Sequence, residues 1–222
     1  NRVNINHHGE SACGLARIVA AWLQDRQELE DTKFPELRAA DQKEVARVAA
    51  DLAETAYRAA AINFSLEIKD KIPLIIYSAP SYFSQTNVIP GLLPESVGGF
   101  TEFMKGRVVV PFNGSYFDLD HVIRHELVHV FQIAKLDAAV SRMTIQRVAY
   151  PPLWLIEGQA EFWSEEWDTE ADLIVKDLVL SGNIPDISDL YQYEGTYLTY
   201  KLGQSVCIFI DSTYGSDKIV RI

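Results

Sequence analysis

Residues 122–133, VIRHELVHVFQI, are apolar on nearly every side of the helix that their spacing predicts, yet they carry His125, Glu126 and His129. A helix that is apolar all round is buried, and burying two imidazoles and a carboxylate without partners is costly. The spacing supplies a way out. At 3.6 residues per turn, positions i and i+4 stand one above the other, so the rings of His125 and His129 can reach one ion at ~2.0–2.1 Å. Glu126 projects beside them, where its carboxylate can take a proton from a water on that ion. The donor set of this HExxH segment suits Zn2+.

Composition narrows the remaining classes. With 222 residues, 48% hydrophobic and 23% charged, the chain can bury a core and reads as one globular domain. Its 31 Asp and Glu against 20 Lys and Arg give a formal charge of -11, which repels a phosphate backbone and excludes nucleic acid as a partner. No run of 18 apolar residues is present, so no membrane span is expected. Cys13 and Cys207 stand in no metal-binding spacing; two buried thiols or one disulfide would both account for them. The sequence opens on Asn1 rather than Met, and Arg17 interrupts the apolar stretch 13–23, so an export signal would have been removed before this point.

The first sixty residues read as mainly helical, with an extended piece around 33–38 and an amphipathic helix over 40–61. Ile72–Tyr77 and Arg107–Pro111 are short β-branched runs bounded by turn residues and predict strands. Residues 87–99, with two prolines and three glycines, predict a loop, as do residues 137–150. Helices follow over 116–135, with Ser115 or Asp118 as N-cap, then over 151–163, 170–180 and 196–213. Residues 217–222 read as the first turns of a further helix, which makes the chain look like a piece of a longer protein.

A catalytic zinc takes three protein ligands. His121 lies four residues before His125, but eight residues of helix span ~12 Å, too far for His121 and His129 to share an ion; His121 is expected to cap the helix or support a ligand. His7 and His8 sit in a polar start and read as surface residues. The better third ligand is Glu157. It stands one turn from Glu161 on the otherwise apolar segment PPLWLIEGQAEF, where two like charges disfavour a helix unless a cation faces them. Glu161 would then accept the ring N–H of a ligating histidine.

HELVH followed by WLIEGQAEF, with 27 residues between His129 and Glu157, resembles the gluzincin metallopeptidases, and the segment is similar to the WLxEGxA of the aminopeptidase N family. A later Tyr-x-x-Gly in that family is matched by Tyr200 to Gly203; the resemblance implies that Tyr200 stabilises the oxyanion, with Tyr197 and Tyr193 as rivals and a plain core tyrosine as the alternative. Over about residues 65–222, the segments KIPLIIY, FSQTNVIPGLLPESVGGFTE, GRVVVPFNGSYFDLDHVIRHELVHVFQ, PPLWLIEGQAEFWS and YLTYKLGQSV resemble the peptidase MA-like domain that precedes a TolB-like β-propeller in exported bacterial proteins. That resemblance implies an α+β, thermolysin-like fold forming a single domain: a small mixed-sheet lobe over 1–117 and a helical lobe over 118–222 carrying the zinc site. It also implies a periplasmic or extracellular location and a C-terminal β-propeller as a possible partner. Residues 1–40 match nothing in it.

The expected activity is hydrolysis of a peptide bond in a peptide or protein substrate by zinc-activated water, with Glu126 as general base and zinc with Tyr200 on the oxyanion. In gluzincins an edge strand pairs with the substrate backbone; Gly99, Phe100 and Thr101, or alternatively residues 107–110, would serve here. Glu102 is loosely similar to the glutamate that holds a free N-terminus in aminopeptidases, but its neighbours differ. Two rivals stand beside this reading: a non-catalytic peptide- or partner-binding module on the same fold, and zinc hydrolysis of a non-peptide amide or ester.

Overall fold

The computed structural model describes residues 18–23, 35–78, 80, 83, 98–102, 106–142 and 151–221. The expectations for His7, His8, Cys13 and residues 87–97 lie outside the described residues. The fold is α+β, mostly helical with one small sheet. Two compact units divide it: Asn1–Ala61 with Glu67–Val130, and Ile62–Leu66 with Phe131–Ile222.

The first unit holds the sheet. Its strands are β1 (Ile18–Leu23), β2 (Ile72–Tyr77), β3 (Phe100–Glu102) and β4 (Arg107–Pro111), in the order β1-β2-β4-β3. β1, β2 and β4 run parallel, with Ile18 opposite Ile72 and Leu74 opposite Val108, and β3 joins β4 antiparallel, Thr101 opposite Val108. Parallel neighbours need a crossover, and between β1 and β2 it is α1 (Pro35–Phe64). Ile72, Leu74 and Ile76 alternate inward along β2, while Val108, Val109 and Val110 are all buried, the pattern of a strand covered on both faces. The buried positions of α1, among them Val45, Ala49, Ala53, Ala56 and Ala60, recur at three- and four-residue steps, as its sequence predicts. The Tyr57 hydroxyl meets both the N–H and the C=O of Ile68 at 3.1 Å, tying the helix to the chain entering β2.

The strands at Ile72–Tyr77 and Arg107–Pro111 fall where their β-branched runs place them. Other expectations need correction. Ile18–Leu23 is a strand, not part of a helix, because pairing beside β2 overrides the helical propensity of its alanines and leucine. Pro35 opens a helix where an extended piece was expected; proline loses nothing at a first helical position, where its missing N–H has no partner to bond. Residues 137–142 continue the long helix α2 (Tyr116–Arg142) instead of starting a loop, since nothing in Asp137-Ala138-Ala139-Val140 stops it; residues 143–150 lie outside the described residues.

The second unit is helical: the end of α2, α3 (Leu153–Ser164), α4 (Thr169–Leu180), a 3-10 turn Ile187–Tyr193, α5 (Tyr197–Tyr214) and a 3-10 turn Ser216–Arg221. α3 begins two residues later than expected because Pro152 is its N-cap. Asp168 caps α4 by accepting the Ala171 N–H at 2.7 Å. Gly182 (φ 72°) and Gly215 (φ 92°) turn the chain at the ends of α4 and α5 in a region that side chains disfavour. The Phe64 ring packs on Phe131 and Trp163, at 5.8 and 5.0 Å between centroids. The end of the described chain is a 3-10 turn, not a new helix, and it is sewn in: Ile219 is fully buried, its carbonyl accepts from Gln159 (2.8 Å), and the Val220 carbonyl accepts from Lys135 (2.5 Å). Cys207 is a buried free thiol, and burial pushes its pKa up to about 12.

Candidate metal centre

α2 is launched by a tight turn. Asn113 accepts the Ser115 N–H at 2.9 Å, the Ser115 hydroxyl accepts the Asp118 N–H at 3.2 Å, and Asp118 accepts from the Asn113 side chain at 2.7 Å. Ser115 is therefore the capping residue among the two expected. From this start, His121, His125 and His129 fall on one face, with ring centroids 6.1 Å apart between the first two and 4.8 Å between the last two. The Nε2 atoms of His125 and His129 are 3.2 Å apart. Two nitrogens at ~2.0–2.1 Å from a tetrahedral zinc stand about 3.3 Å from each other, so the pair already has the spread of two ligands on one ion. Both rings are half-buried, while Glu126 is only 5% exposed.

Glu126 is held by the sheet. The Thr101 hydroxyl, on β3, lies 2.8 Å from Glu126 Oε2 and 2.9 Å from the Glu126 main-chain oxygen. The chain entering β3 runs tight against α2: a Cβ at Gly99 would stand 2.7 Å from Val122 Cγ1 and 3.1 Å from Glu126 Oε1, and one at Gly98 would stand 3.4 Å from Val122 Cγ2. Gly99 is thus required by close approach rather than by a turn. Phe100 stacks on Phe83 at 5.6 Å, and Glu102 is paired with Arg107 on the neighbouring strand. β3 is an edge of the sheet among the described residues.

In the second unit, Glu157 and Glu161 stand one turn apart on α3, Glu157 half-buried and Glu161 buried. Gln132 on α2 fastens α3 by donating to the Ile156 carbonyl and to Gln159, both at 2.9 Å. The positive charge that the glutamate pair calls for comes in part from the chain itself. Lys201, 3% exposed on α5, places its ammonium 2.7 Å from Glu161, 2.6 Å from Glu165 and 3.1 Å from Asp168. Burial alone would lower the Lys201 pKa, but the hydrogen bonds that the ammonium donates to Glu161 and Glu165 outweigh it and hold it well above the usual lysine range. Sequence reasoning missed this lysine. The signal was present, since Lys201 is the single charge in the otherwise uncharged run 195–210 and Glu161, Glu165 and Asp168 recur at helical spacing.

Tyr200 is half-buried on α5, one turn before Gly203. Its rival Tyr197 lies with its ring 5.7 Å from the Lys201 ammonium, and burial raises its pKa to about 12 against the opposing pull of Lys201. Tyr193 is also half-buried, in the 3-10 turn, and its carbonyl accepts from the Thr196 hydroxyl at 2.6 Å. At Gly158 and Gly203, α3 and α5 meet backbone to backbone: a Cβ on Gly203 would lie 2.0 Å from the Trp154 carbonyl oxygen and 2.8 Å from Gly158 Cα.

His125 and His129 lie in the first unit, where their Nε2 atoms offer a pair of donors to one ion, and Glu157 and Glu161 lie in the second. Comparison with protein-family models and with curated protein sequences finds no match.

Proposed function

We propose that the chain is a zinc-dependent metallopeptidase of the gluzincin type, with His125, His129 and Glu157 as the metal ligands and Glu126 as general base. The observation that carries this reading is the 3.2 Å separation of the His125 and His129 Nε2 atoms, with the glutamate between them in sequence buried and held by Thr101. The helix supports Glu157 as the third ligand. His125, His129 and Gln132 follow at i, i+4 and i+7 on one face of α2, and Gln132 bonds the peptide carbonyl that immediately precedes Glu157. In the same reading Glu161, which accepts from the Lys201 ammonium, would take the ring N–H of a ligating histidine.

Zinc, when bound, acidifies water and polarises a carbonyl. The chain's own groups do the rest. Glu126 takes the proton of the attacking water as the new C–O bond forms at the scissile carbonyl, and returns it to the nitrogen as the C–N bond breaks, so the amine leaves neutral. Tyr200 is the candidate donor to the oxyanion. The outer edge of β3 would take an extended peptide as a further strand, with Gly99, Phe100 and Thr101 as its docking residues. The pairing of Glu102 with Arg107 argues against its use as a receptor for a free amino terminus. Export and a β-propeller partner belong to the same reading and rest on the resemblance over about residues 65–222 alone.

The deciding experiment pairs metal analysis of purified protein with cleavage of a mixed peptide library by native and Glu126→Gln forms. About one zinc per chain, cleavage by the native form and none by the variant support the reading. Zinc without cleavage turns it into a binding module, and equal cleavage by Glu126→Gln removes Glu126 as the base.

A further inference from the structure

We infer that Gln132 is a positioning residue for the metal centre, holding the backbone of Glu157 where its carboxylate can complete the set begun by His125 and His129. The inference rests on the reading of Glu157 as the third ligand. α2 runs unbroken from His125 through Gln132, so the Gln132 side chain leaves the helix three residues past His129 on the same face. Its amide nitrogen donates at 2.9 Å to the Ile156 carbonyl and at 2.9 Å to Gln159 Oε1. A carbonyl only accepts, so the nitrogen is the end of the amide that faces α3, and its two hydrogens match the two acceptors.

The Ile156 carbonyl belongs to the peptide whose nitrogen is that of Glu157, so this bond fixes the link directly before the ligand. The residue directly after it is fixed as well: a Cβ on Gly158 would stand 2.3 Å from the Gly203 carbonyl carbon, which leaves α3 no room to shift toward α5. The Glu157 backbone is thus pinned from both sides by contacts within the second unit. Gln132 is 7% and Gln159 8% exposed. A buried amide needs hydrogen-bond partners that a leucine does not, so packing alone gives no reason for glutamine at 132, whereas aiming the next helix does. Gln159 in turn donates to the Ile219 carbonyl at 2.8 Å. That bond is of the same kind but bypasses the peptide before Glu157, which makes Gln159 the natural control.

Gln132→Met keeps the length of the side chain and removes the bonds to Ile156 and Gln159; Gln159→Met removes the bonds to Gln132 and Ile219 and leaves the one to Ile156. Zinc affinity, measured by competition with a chromophoric chelator, is expected to fall about 10- to 100-fold in Gln132→Met, the scale for a residue that orients a ligand from behind, and to stay close to native in Gln159→Met. Without metal, both variants are expected to melt below native, since each loses two buried bonds, so lost stability does not by itself decide which of them loses zinc. The visible absorption of the cobalt-loaded protein, a measure of ligand geometry, is expected to change in Gln132→Met and not in Gln159→Met. Gln132→Asn keeps the amide but draws it back by one methylene; it is expected to weaken zinc in the same way, and it takes the place of Gln132→Met if that form does not fold. Native zinc affinity in either Gln132 variant, or a Gln159→Met form weakened as much, overturns the inference. Glu157→Ala separates this from the reading beneath it. If Glu157→Ala binds zinc as tightly as native protein, the third-ligand reading falls and takes the inference with it; if it loses zinc while Gln132→Met keeps it, the inference alone falls.

Discussion

Replacing Lys201 by methionine is the sharpest test of how the second unit is held together. The ammonium is 3% exposed and lies 2.7 Å from Glu161, itself 6% exposed, and 2.6 Å from Glu165, which is 24% exposed. Asp168, at 3.1 Å and 34% exposed, is screened by solvent and adds little. Methionine keeps most of the volume but takes the counter-charge from a buried carboxylate, a change that costs about 3–5 kcal/mol. At roughly 2–4 °C per kcal/mol for a chain of this size, the melting temperature should fall by roughly 6–20 °C. Calorimetry at neutral pH on Lys201→Met, Glu161→Gln and the double variant separates charge from packing. The double variant should be more stable than the sum of the single losses allows, by about 0.5–3 kcal/mol, because the unpaired charge is then gone. The direction with pH follows from the raised lysine pKa: the contribution is whole below the unfolded value of ~10.4 and fades only as pH rises through the higher folded value. A Lys201→Met form melting within 2 °C of native would refute this account, as would strict additivity in the double variant.

Three further outcomes can be checked. Gly203→Ala drives a Cβ into the Trp154 carbonyl at 2.0 Å, backbone that cannot step aside, and should lower the stability read from urea unfolding by about 1–3 kcal/mol or more; an unchanged midpoint would mean that the helices part freely. Asp168→Ala removes the cap on Ala171 and should cost about 1 kcal/mol. Burial raises the Asp168 pKa, but its bonds to the Ala171 N–H and Lys201 outweigh this and depress it, so the native advantage over the variant should hold above the unfolded value of ~3.9 and vanish as pH falls through the lower folded one. Chelation should lower the melting temperature of native protein, by about 2.7 kcal/mol of stability where zinc had stood at 100 times its Kd, and leave that of His129→Ala unmoved; equal shifts in both would detach the metal from this site.

What could be read from the chain follows the range of the interactions involved. His125, Glu126 and His129 declare themselves because a five-residue spacing on a helix is a local fact. Ile72–Tyr77 and Arg107–Pro111 do so because β-branched runs between turn residues have few other ways to fold. Ile18–Leu23 hides, since Ala20, Ala21 and Leu23 favour a helix until β2 offers them a parallel neighbour. The far end of α2 runs on to Arg142 because nothing in residues 137–140 stops it, and the absence of a stop is a weak signal in a sequence. Thr101 and Lys201 illustrate the other limit. Each acts through a partner 25 or 40 positions away, Thr101 on Glu126 and Lys201 on Glu161, and no spacing rule covers a bond made across a sheet edge or between two helices.

The contact between Gly158 and Gly203 bears on tolerance. Most helix pairs meet through side chains, whose torsions can absorb small shifts; here main chain rests on main chain. Glu157 adjoins one of these glycines and Tyr200 precedes the other by a single turn, so the distance between the two side chains' starting points is set by a contact with almost no slack. Where many proteins let a cushion of leucines average out error, this one gauges two of its candidate working residues against a hard stop.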